Sequence, residues 1–517
     1  MTIYAASRAA ERMAVMAPDR EVRRTAAARR EVLRLGGVLA AGGLLAMATP
    51  RGAAAGPADP PPVTTTFPGH SPPGFDQWEY VPFDVPAGVN RISVRRSYDP
   101  YVLVPGLLQN VLDVGIFGPA GWGPGAADGF RGWSGGARDS FTLSASDATP
   151  GYLPGRVDPG RWAVALGPIV VNPRGMDWQV DVTLEFGPEG PAFVPAPAPP
   201  SAAGRGAAWY RGDMHLHTVH SDGQGTQEQT AAEARARGLD FLVSTEHNTR
   251  SANLTWGRYA GDDLLVIGGE EVTTRHGHWL ALGLPADRWV DWRYGPGDGL
   301  FAGYAAAVRA DGGLVVPAHP SSPGPGSTWE FGYEHVDGLE VWNGPWTIDD
   351  VNSVRIWDRL LRDGRRLAAF GNSDAHSPAA VAHPQTVVYA PELSRAAIVA
   401  ALRAGRSYLA GSAGATLDLT AAAGGRVAGP GQALPVGDDT VEVTARVGGV
   451  PSAVVSLHTA AGQVATGLVP ASGTTTLTWR TRGAGARYVR AEVQRPQPTP
   501  TTLTTMLMLS NPVWLDR

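Results

Sequence analysis

The chain has 517 residues, of which 43% are hydrophobic and 18% charged, and its formal net charge is −5. This length predicts two or three domains, each with enough apolar residues for a core, and the near-neutral charge without a basic patch argues against a nucleic-acid partner. The sequence contains no cysteine, which excludes disulfides, thiolate metal sites and a cysteine nucleophile, so any metal must be held by histidines and carboxylates.

Residues 1–56 predict an export signal. Arg29 and Arg30 precede an apolar stretch from Leu35 to Met47, and small residues follow it. This stretch is too short to span a bilayer and fits the central region of a signal peptide. The run RREVLR resembles a twin-arginine signal. We therefore expect an exported protein, periplasmic or extracellular by the twin-arginine route, with no membrane span in its mature form.

Residues 75–188 predict an N-terminal β-sandwich. Short alternating segments such as NRISVRRSYD, VLDVGIF and WQVDVTLEF are separated by turns rich in glycine and proline, a pattern typical of two packed antiparallel sheets. The preceding residues 57–74 are rich in proline and are expected to lack regular structure. Residues 189–208 are also rich in proline and predict an extended linker.

The remaining chain predicts an α/β domain followed by a second β domain. In residues 209–412, apolar strand-like runs alternate with helical patterns such as EQTAAEARARG and SVRIWDRLLRDG, which indicates a core of parallel strands. In residues 413–517 the alternating pattern returns, in TVEVTARV, AVVSLHTA and RYVRAEV, and predicts a small C-terminal β domain.

Metal-type side chains recur at the ends of the apolar runs in the α/β region. Ten of the twelve histidines of the chain lie between His215 and His383. His215 and His217 are two residues apart, so in a strand both rings point to one face. Burying so many imidazoles and carboxylates without partners is unfavourable, whereas bound metal ions would satisfy them. The runs that carry this pattern are DMHLH, STEHN, GGEEV, HGHW, PAHP and NSDAH.

In their order along the chain, these motifs resemble the PHP (polymerase and histidinol phosphatase) superfamily of metallohydrolases. The flanking segments FRGWSGGARDSF and SNPVWL are similar to the CehA/McbA branch, named for carbaryl hydrolases. The resemblance implies a distorted (β/α)7 barrel over residues 209–412. It also implies two to three divalent metal ions, Zn or Mn, with Fe as a further option.

The resemblance assigns nine residues as metal ligands. The spacing of GxE from Gly269 selects Glu271 rather than Glu270, and the alternation of a strand points these two side chains to opposite faces. Glu271 is expected to bridge two ions. The implied ligands are His215, His217 and Asp374 for the first ion, Glu271, His278 and His319 for the second, and Asp222, His247 and His376 for the third.

Other polar residues lie near these motifs. His220 is a candidate hydrogen-bond donor to substrate or a residue at the rim of the site. Asn343 is a candidate substrate-orienting residue, and Arg275 a candidate partner for an anionic group of the substrate. Asp213 either supports a ligand histidine or stabilises a turn. Glu246 stands where the family more often has aspartate, and its role is left open.

A cluster of divalent ions indicates a hydrolase in which a metal-bound hydroxide attacks the substrate. The sequence contains no cysteine nucleophile and no P-loop that would favour another nucleophile or cofactor. The superfamily resemblance favours a phosphoester substrate, and the branch resemblance favours a carbamate or carboxylic ester. A non-catalytic surface binding protein is a third hypothesis, against which the full ligand set argues. We therefore expect a small-molecule ester as the partner.

Overall fold

The structure is a computed structural model that describes residues 59–516 except 76, 105–107, 126 and 483–484. The predicted export signal at residues 1–56 lies outside the described residues. Within the described part of the chain, no helix is long and apolar enough to cross a membrane.

The N-terminal region consists of two four-stranded antiparallel sheets. Its strands are β1 (Val63–Ser71), β2 (Glu79–Val85), β3 (Val89–Tyr98), β4 (Val102–Val104), β5 (Leu108–Gln109), β6 (Val111–Phe117), β7 (Phe130–Gly135), β8 (Ser140–Ser144), β9 (Gly160–Val170) and β10 (Met176–Phe186). One sheet has the order β1-β10-β3-β8 and the other β2-β9-β6-β7. Alternate residues of both sheets, among them Ile92, Leu112 and Val164, share one apolar core.

Strand β1 corrects the expectation that residues 57–74 lack regular structure. It pairs antiparallel with β10 over its whole length, from Val63 opposite Leu184 to Ser71 opposite Met176. Its threonines favour an extended backbone. Pro68 is compatible with this strand because β1 lies at the edge of its sheet, where one side of the backbone needs no partner.

The central region contains four α-helices among the described residues and places its strands in one long sheet and one short one. The strands are β11 (Ala208–Asp213), β12 (Phe241–Ser244), β13 (Leu265–Thr274), β14 (Gly277–Leu282), β15 (Leu314–Ala318), β16 (Gly338–Asn343), β17 (Ala368–Asn372), β18 (Gln385–Ala390) and β19 (Ser407–Ala410), and the helices are α1 (Gln227–Ala236), α2 (Phe301–Ala310), α3 (Ile348–Arg362) and α4 (Arg395–Arg403). Strands β11, β12 and β13 are parallel neighbours. Helix α1 connects β11 to β12 and begins at a capping box of Thr226 and Gln229.

The predicted (β/α)7 barrel is not what the structure shows. Strand β14 is antiparallel to both β13 and β15, and β18 is antiparallel to both β11 and β19. Only Arg275 and His276 connect β13 to β14, which is too short for the crossover that two parallel strands require. Strands β16 and β17 form a separate parallel pair. The molecule is therefore multidomain and mostly β, with few helices.

The C-terminal region continues the long central sheet. Its strands are β20 (Thr416–Ala423), β21 (Arg426–Ala428), β22 (Ala433–Pro435), β23 (Thr440–Gly448), β24 (Ala453–Thr459), β25 (Gly462–Val469), β26 (Thr475–Arg482), β27 (Tyr488–Arg495), β28 (Thr505–Ser510) and β29 (Val513–Asp516). Strand β28 pairs with β19, and β27, β24 and β25 follow it. A second sheet, β21-β20-β23-β26, packs on these strands through a shared apolar core.

Candidate metal centre

The structure brings all nine sequence-predicted ligands together in three adjoining groups. In each group the donor atoms lie within 4.8 Å of one another. His217 belongs to two of the groups, and Glu271 also belongs to two. The groups are His215, His217, Glu271 and Asp374; Glu271, His278 and His319; and His217, Asp222, His247 and His376.

Glu271 lies at the centre of this arrangement, and its two oxygens face different groups. Its Oε1 is 3.0 Å from His278 Nδ1 and 3.2 Å from His319 Nε2. Its Oε2 is 3.2 Å from His215 Nε2 and 2.9 Å from His247 Nδ1. This geometry is the one expected of a carboxylate that bridges two metal ions.

Glu270, the neighbour that the sequence analysis set aside, is buried on the other face of the strand. Its Oε2 accepts a hydrogen bond from the backbone N–H of Val290 at 3.0 Å. Burial raises the pKa of Glu270 well above its ordinary value, which favours the neutral form, and Glu270 is in none of the three groups.

The ligand-bearing segments are joined through their backbones. Leu216 and Ala375 form a parallel bridge, and so do His247 and Glu271. His319 and Asp374 have positive φ angles, 31° and 49°, a region that residues other than glycine rarely adopt and that often occurs at functional sites. The ligand positions are therefore fixed by main-chain hydrogen bonds as well as by packing.

The carboxylates and histidines of the cluster shift one another's pKa values. Burial opposes charge on His376, but the carboxylates of Asp222 and Asp374 together outweigh it and raise the pKa of His376 to about 9. Burial is outweighed in the same way at His215 and His247, whose pKa values are raised by neighbouring carboxylates. Burial also opposes charge on Glu271, yet the surrounding histidines hold the pKa of this carboxyl well below its usual range. Burial lowers the pKa of His217 to about 3 and that of His278 to about 4. Ionised carboxylates and neutral rings are the forms that bind metal, and a metal ion would displace the proton of His376.

Glu340 is a supporting residue that the sequence analysis did not assign. Its carboxylate receives a hydrogen bond from His215 Nδ1 at 3.0 Å and from the backbone N–H of His319 at 2.9 Å, and it also accepts from Asn372 at 2.8 Å. A carboxylate on the far nitrogen of a ligand histidine fixes the ring and directs its other nitrogen to the metal. The signal was present, since Glu340 lies in an apolar strand like the ligands.

Asp213 and Glu246 hold the loops that carry ligands. The carboxylate of Asp213 accepts hydrogen bonds from the backbone N–H of Ser373 at 3.1 Å and of Ala382 at 2.8 Å, on either side of the third group's His376. Glu246 accepts from the Thr218 hydroxyl at 2.6 Å and the Ser221 hydroxyl at 2.5 Å. Both residues act on the backbone and side chains of the loops rather than as ligands.

The three remaining candidates have different surroundings. Asn343 donates to Glu340 at 2.9 Å and to Asp374 at 3.3 Å, so it orients a ligand. The His220 ring contacts Ser251 Oγ at 2.8 Å and is in none of the three groups. The guanidinium of Arg275 lies 4.2 Å from the ring of Trp78 and donates to the carbonyls of Phe75 and Pro168.

A cavity opens onto the third group and the second. Its walls include Asp222, His247 and His278 from the cluster. The opposite wall comes from the N-terminal region, which contributes Trp78 and Trp133. The volume of the cavity is about 40 Å³. Trp329, Trp342 and Trp346, which lie close to the ligand motifs in the sequence, are buried in the apolar core and do not line this cavity.

The donor set fits divalent metal ions. His215 Nε2 is buried, lies 3.2 Å from both Glu271 Oε2 and Asp374 Oδ1, and makes no well-directed hydrogen bond with either. Imidazole and carboxylate donors without thiolate suit Zn, Mn and Fe. The residues present are therefore compatible with the metals that the sequence predicted, two to three per chain.

Comparisons with known proteins agree with this chemistry. Residues 361–407, which include Asp374 and His376, match the family described as PHP-associated. A curated phosphoribosyl 1,2-cyclic phosphate 1,2-diphosphodiesterase of Eggerthella lenta is 40% identical over 80 residues, which is 14% of this chain and 30% of that protein. These similarities support a relationship to the PHP superfamily, and neither of them bears on the CehA/McbA branch.

Solved structures with partial similarity include two bacterial proteins. A two-domain protein of Bacteroides vulgatus that contains a predicted PHP-like metal-dependent phosphoesterase is 18% identical, with 62% of this chain and 100% of that chain covered and a TM-score of 0.36. An amidohydrolase of Chromobacterium violaceum with bound sulfate and no metal is 19% identical, with 33% and 90% covered and a TM-score of 0.25.

Proposed function

We propose that this chain is a metal-dependent hydrolase of the PHP superfamily that cleaves phosphoesters at a multinuclear centre. The observation that carries the proposal is the position of Glu271, whose two oxygens face two different groups of histidines. The match to the PHP-associated family and the short similarity to a diphosphodiesterase favour a phosphoester as the bond that is cleaved.

The residues of the chain have separate tasks in this reaction. Two to three bound Zn, Mn or Fe ions would supply an activated water and stabilise the charge that develops on the attacked group. Glu340 and Asn343 orient His215 and Asp374. The partly exposed ligands, Asp222, His319 and His376, form the side of the cluster that a substrate can reach.

A carbamate or carboxylic ester is the second candidate substrate. The observation that favours it is the aromatic lining of the cavity by Trp78, Trp133 and Trp292. Trp133 and Trp292 have ring centroids 4.6 Å apart, and this apolar lining favours an uncharged group over an anionic one. Arg275 is the one cation among the residues that line the cavity.

A side-by-side assay of metal-loaded protein tests the order of these candidates. We expect an aryl phosphate or a bis-aryl phosphodiester to be hydrolysed faster than an aryl N-methylcarbamate. A preference for the carbamate above about tenfold, roughly 1.4 kcal/mol in the transition state, would reverse the order. The absence of hydrolysis of all three would favour the non-catalytic binding protein instead.

We also propose export by the twin-arginine route, on the basis of Arg29, Arg30 and the apolar stretch that follows. Changing both arginines to lysine is expected to retain the precursor inside the cell. Undiminished secretion of the double-lysine variant would contradict this route.

A further inference from the structure

Asp113 is a buried carboxylate outside the metal cluster whose chemistry the proposed hydrolysis does not use. It lies in β6, where Leu112, Val114 and Ile116 point into the core of the N-terminal region. Asp113 therefore points from the opposite face of the sheet. Its residue exposure is 5%, and its Oδ1 is buried without a hydrogen-bond partner among the described residues.

This face of the sheet forms a wall of the cavity at the metal cluster. Asp113 lines the same cavity as Asp222, His247 and His278. Burying a carboxylate without a hydrogen bond costs desolvation free energy, and a bound hydrogen-bond donor would offset this cost. The placement of Asp113 beside the ligand residues, rather than elsewhere in the sheet, makes a substrate the natural source of that donor.

Burial raises the pKa of Asp113 to about 6 although the nearby guanidinium of Arg275 opposes this rise, and Asp113 Oδ1 accepts no hydrogen bond from Arg275 among the described residues. Gly167, which lies opposite Asp113 in the ladder of β6 and β9, leaves room for the guanidinium, since a Cβ at this position would lie 3.0 Å from Arg275 Nη2. The Nη1 of Arg275 donates to two backbone carbonyls and the group stacks on Trp78. Arg275 is thus held at the wall by other contacts.

The size of the cavity limits what can bind beside Asp113. Its volume is about 40 Å³, which corresponds to about three water-sized positions. A compact group of two or three heavy atoms fits this space. Trp78 and Trp133 flank it with apolar rings, so the carboxylate provides the polar contact on this side.

We propose that Asp113 is a specificity-determining residue for the substrate. Its carboxylate accepts a hydrogen bond from a small N–H donor, best a primary ammonium. This donor belongs to the part of the substrate that stays on the phosphate after the leaving group departs. This inference rests on the proposed phosphoester hydrolysis and adds the class of substrate. It assigns to the N-terminal region a direct part in substrate selection.

A pair of chromogenic diesters tests the proposal: 2-aminoethyl 4-nitrophenyl phosphate and propyl 4-nitrophenyl phosphate, which share a leaving group and differ by NH₃⁺ against CH₃. With metal-loaded wild-type protein we expect kcat/KM for the aminoethyl ester to exceed that for the propyl ester by at least about tenfold. In Asp113→Asn we expect this ratio to fall to below about threefold, with the larger loss on the aminoethyl ester and the metal content retained. Asp84→Asn, which changes an exposed aspartate on β2 of the same sheet, is the matched control and should keep the wild-type ratio.

The outcomes separate this inference from the proposed function. Wild-type protein that cleaves both esters equally would overturn the role of Asp113 and leave phosphoester hydrolysis intact. Wild-type protein that cleaves neither diester but hydrolyses an aryl phosphate would overturn the inference alone, and failure on all three substrates would overturn both. An equal loss of rate on both esters in Asp113→Asn would make Asp113 structural and overturn the inference. Should that variant fail to fold, Asp113→Glu is expected to lower the ratio by at least about threefold, and an unchanged ratio would overturn the proposal.

Discussion

The Glu271→Gln variant is expected to lose at least about 10³-fold in kcat/KM, roughly 4 kcal/mol of transition-state stabilisation. Both oxygens of Glu271 contact histidine donors, with His278 on one side and His215 on the other. Glutamine removes the negative charge and replaces one oxygen with an NH₂ group, which does not bind metal. The variant should therefore also bind fewer metal ions per chain, and both quantities can be measured on one preparation with an aryl phosphate and elemental analysis.

Glu270→Gln is the matched control for this substitution. Glu270 is equally buried and, among the described residues, accepts a hydrogen bond from the Val290 backbone, while burial raises its pKa and so favours the neutral form. A glutamine has nearly the shape of the neutral acid, so we expect activity within about threefold of wild type, since isosteric changes in well-packed sites are tolerated best. A severe loss in Glu270→Gln with a mild one in Glu271→Gln would mean that the bridging carboxylate has been misassigned.

The Asp222→Ala variant is expected to bind about one metal ion fewer per chain than wild type, because it removes a charged donor from the third group alone. Asp222 Oδ1 is 3.2 Å from His376 Nε2 and 3.5 Å from His247 Nε2, and Asp222 belongs to neither of the other groups. Glu271 and Asp374 keep the remaining groups anionic, so these should stay loaded.

Asp262→Ala removes an exposed carboxylate of the same region and should leave the metal content unchanged. Elemental analysis of the two variants and of wild type measures the number of metal ions bound per chain. Loss of all metal from Asp222→Ala would show that the three groups bind as one unit, and an unchanged metal content would show that Asp222 is not a ligand.

The convergence of the ligands could be predicted from the sequence because most of the ligands lie in or next to apolar runs. His215 and His217 share a face by the period of a strand, and the same period separates Glu271 from Glu270. These are local properties of a strand, so they hold whether the sheet closes into a barrel or not.

The connections between strands were predicted less well. The barrel expectation assumed that every strand is followed by a crossover, but the two residues between β13 and β14 form a hairpin. Strand β1 was missed because prolines dominate residues 57–74, although an edge strand accepts proline.

The contribution of other segments to the site could not be predicted, because it depends on which surfaces pack together. Glu340 carries the same local signal as the ligands, but its hydrogen bond to His215, 125 residues earlier in the chain, depends on how the strands pack. Asp113 and Trp78 reach the cavity only because one face of the N-terminal sheet packs on the central region. The alternation in VLDVGIF identifies a strand, but it does not show which part of the protein packs on the face that carries Asp113.

Metal analysis of wild-type protein purified without chelator, combined with hydrolysis of an aryl phosphate before and after metal removal, tests the central claim most directly. The three groups of donors predict two to three Zn, Mn or Fe ions per chain, activity that a chelator abolishes, and recovery when metal is returned. Fewer than about one tightly bound ion per chain, with no activity gained on adding Zn, Mn or Fe, would contradict a metal-dependent hydrolase.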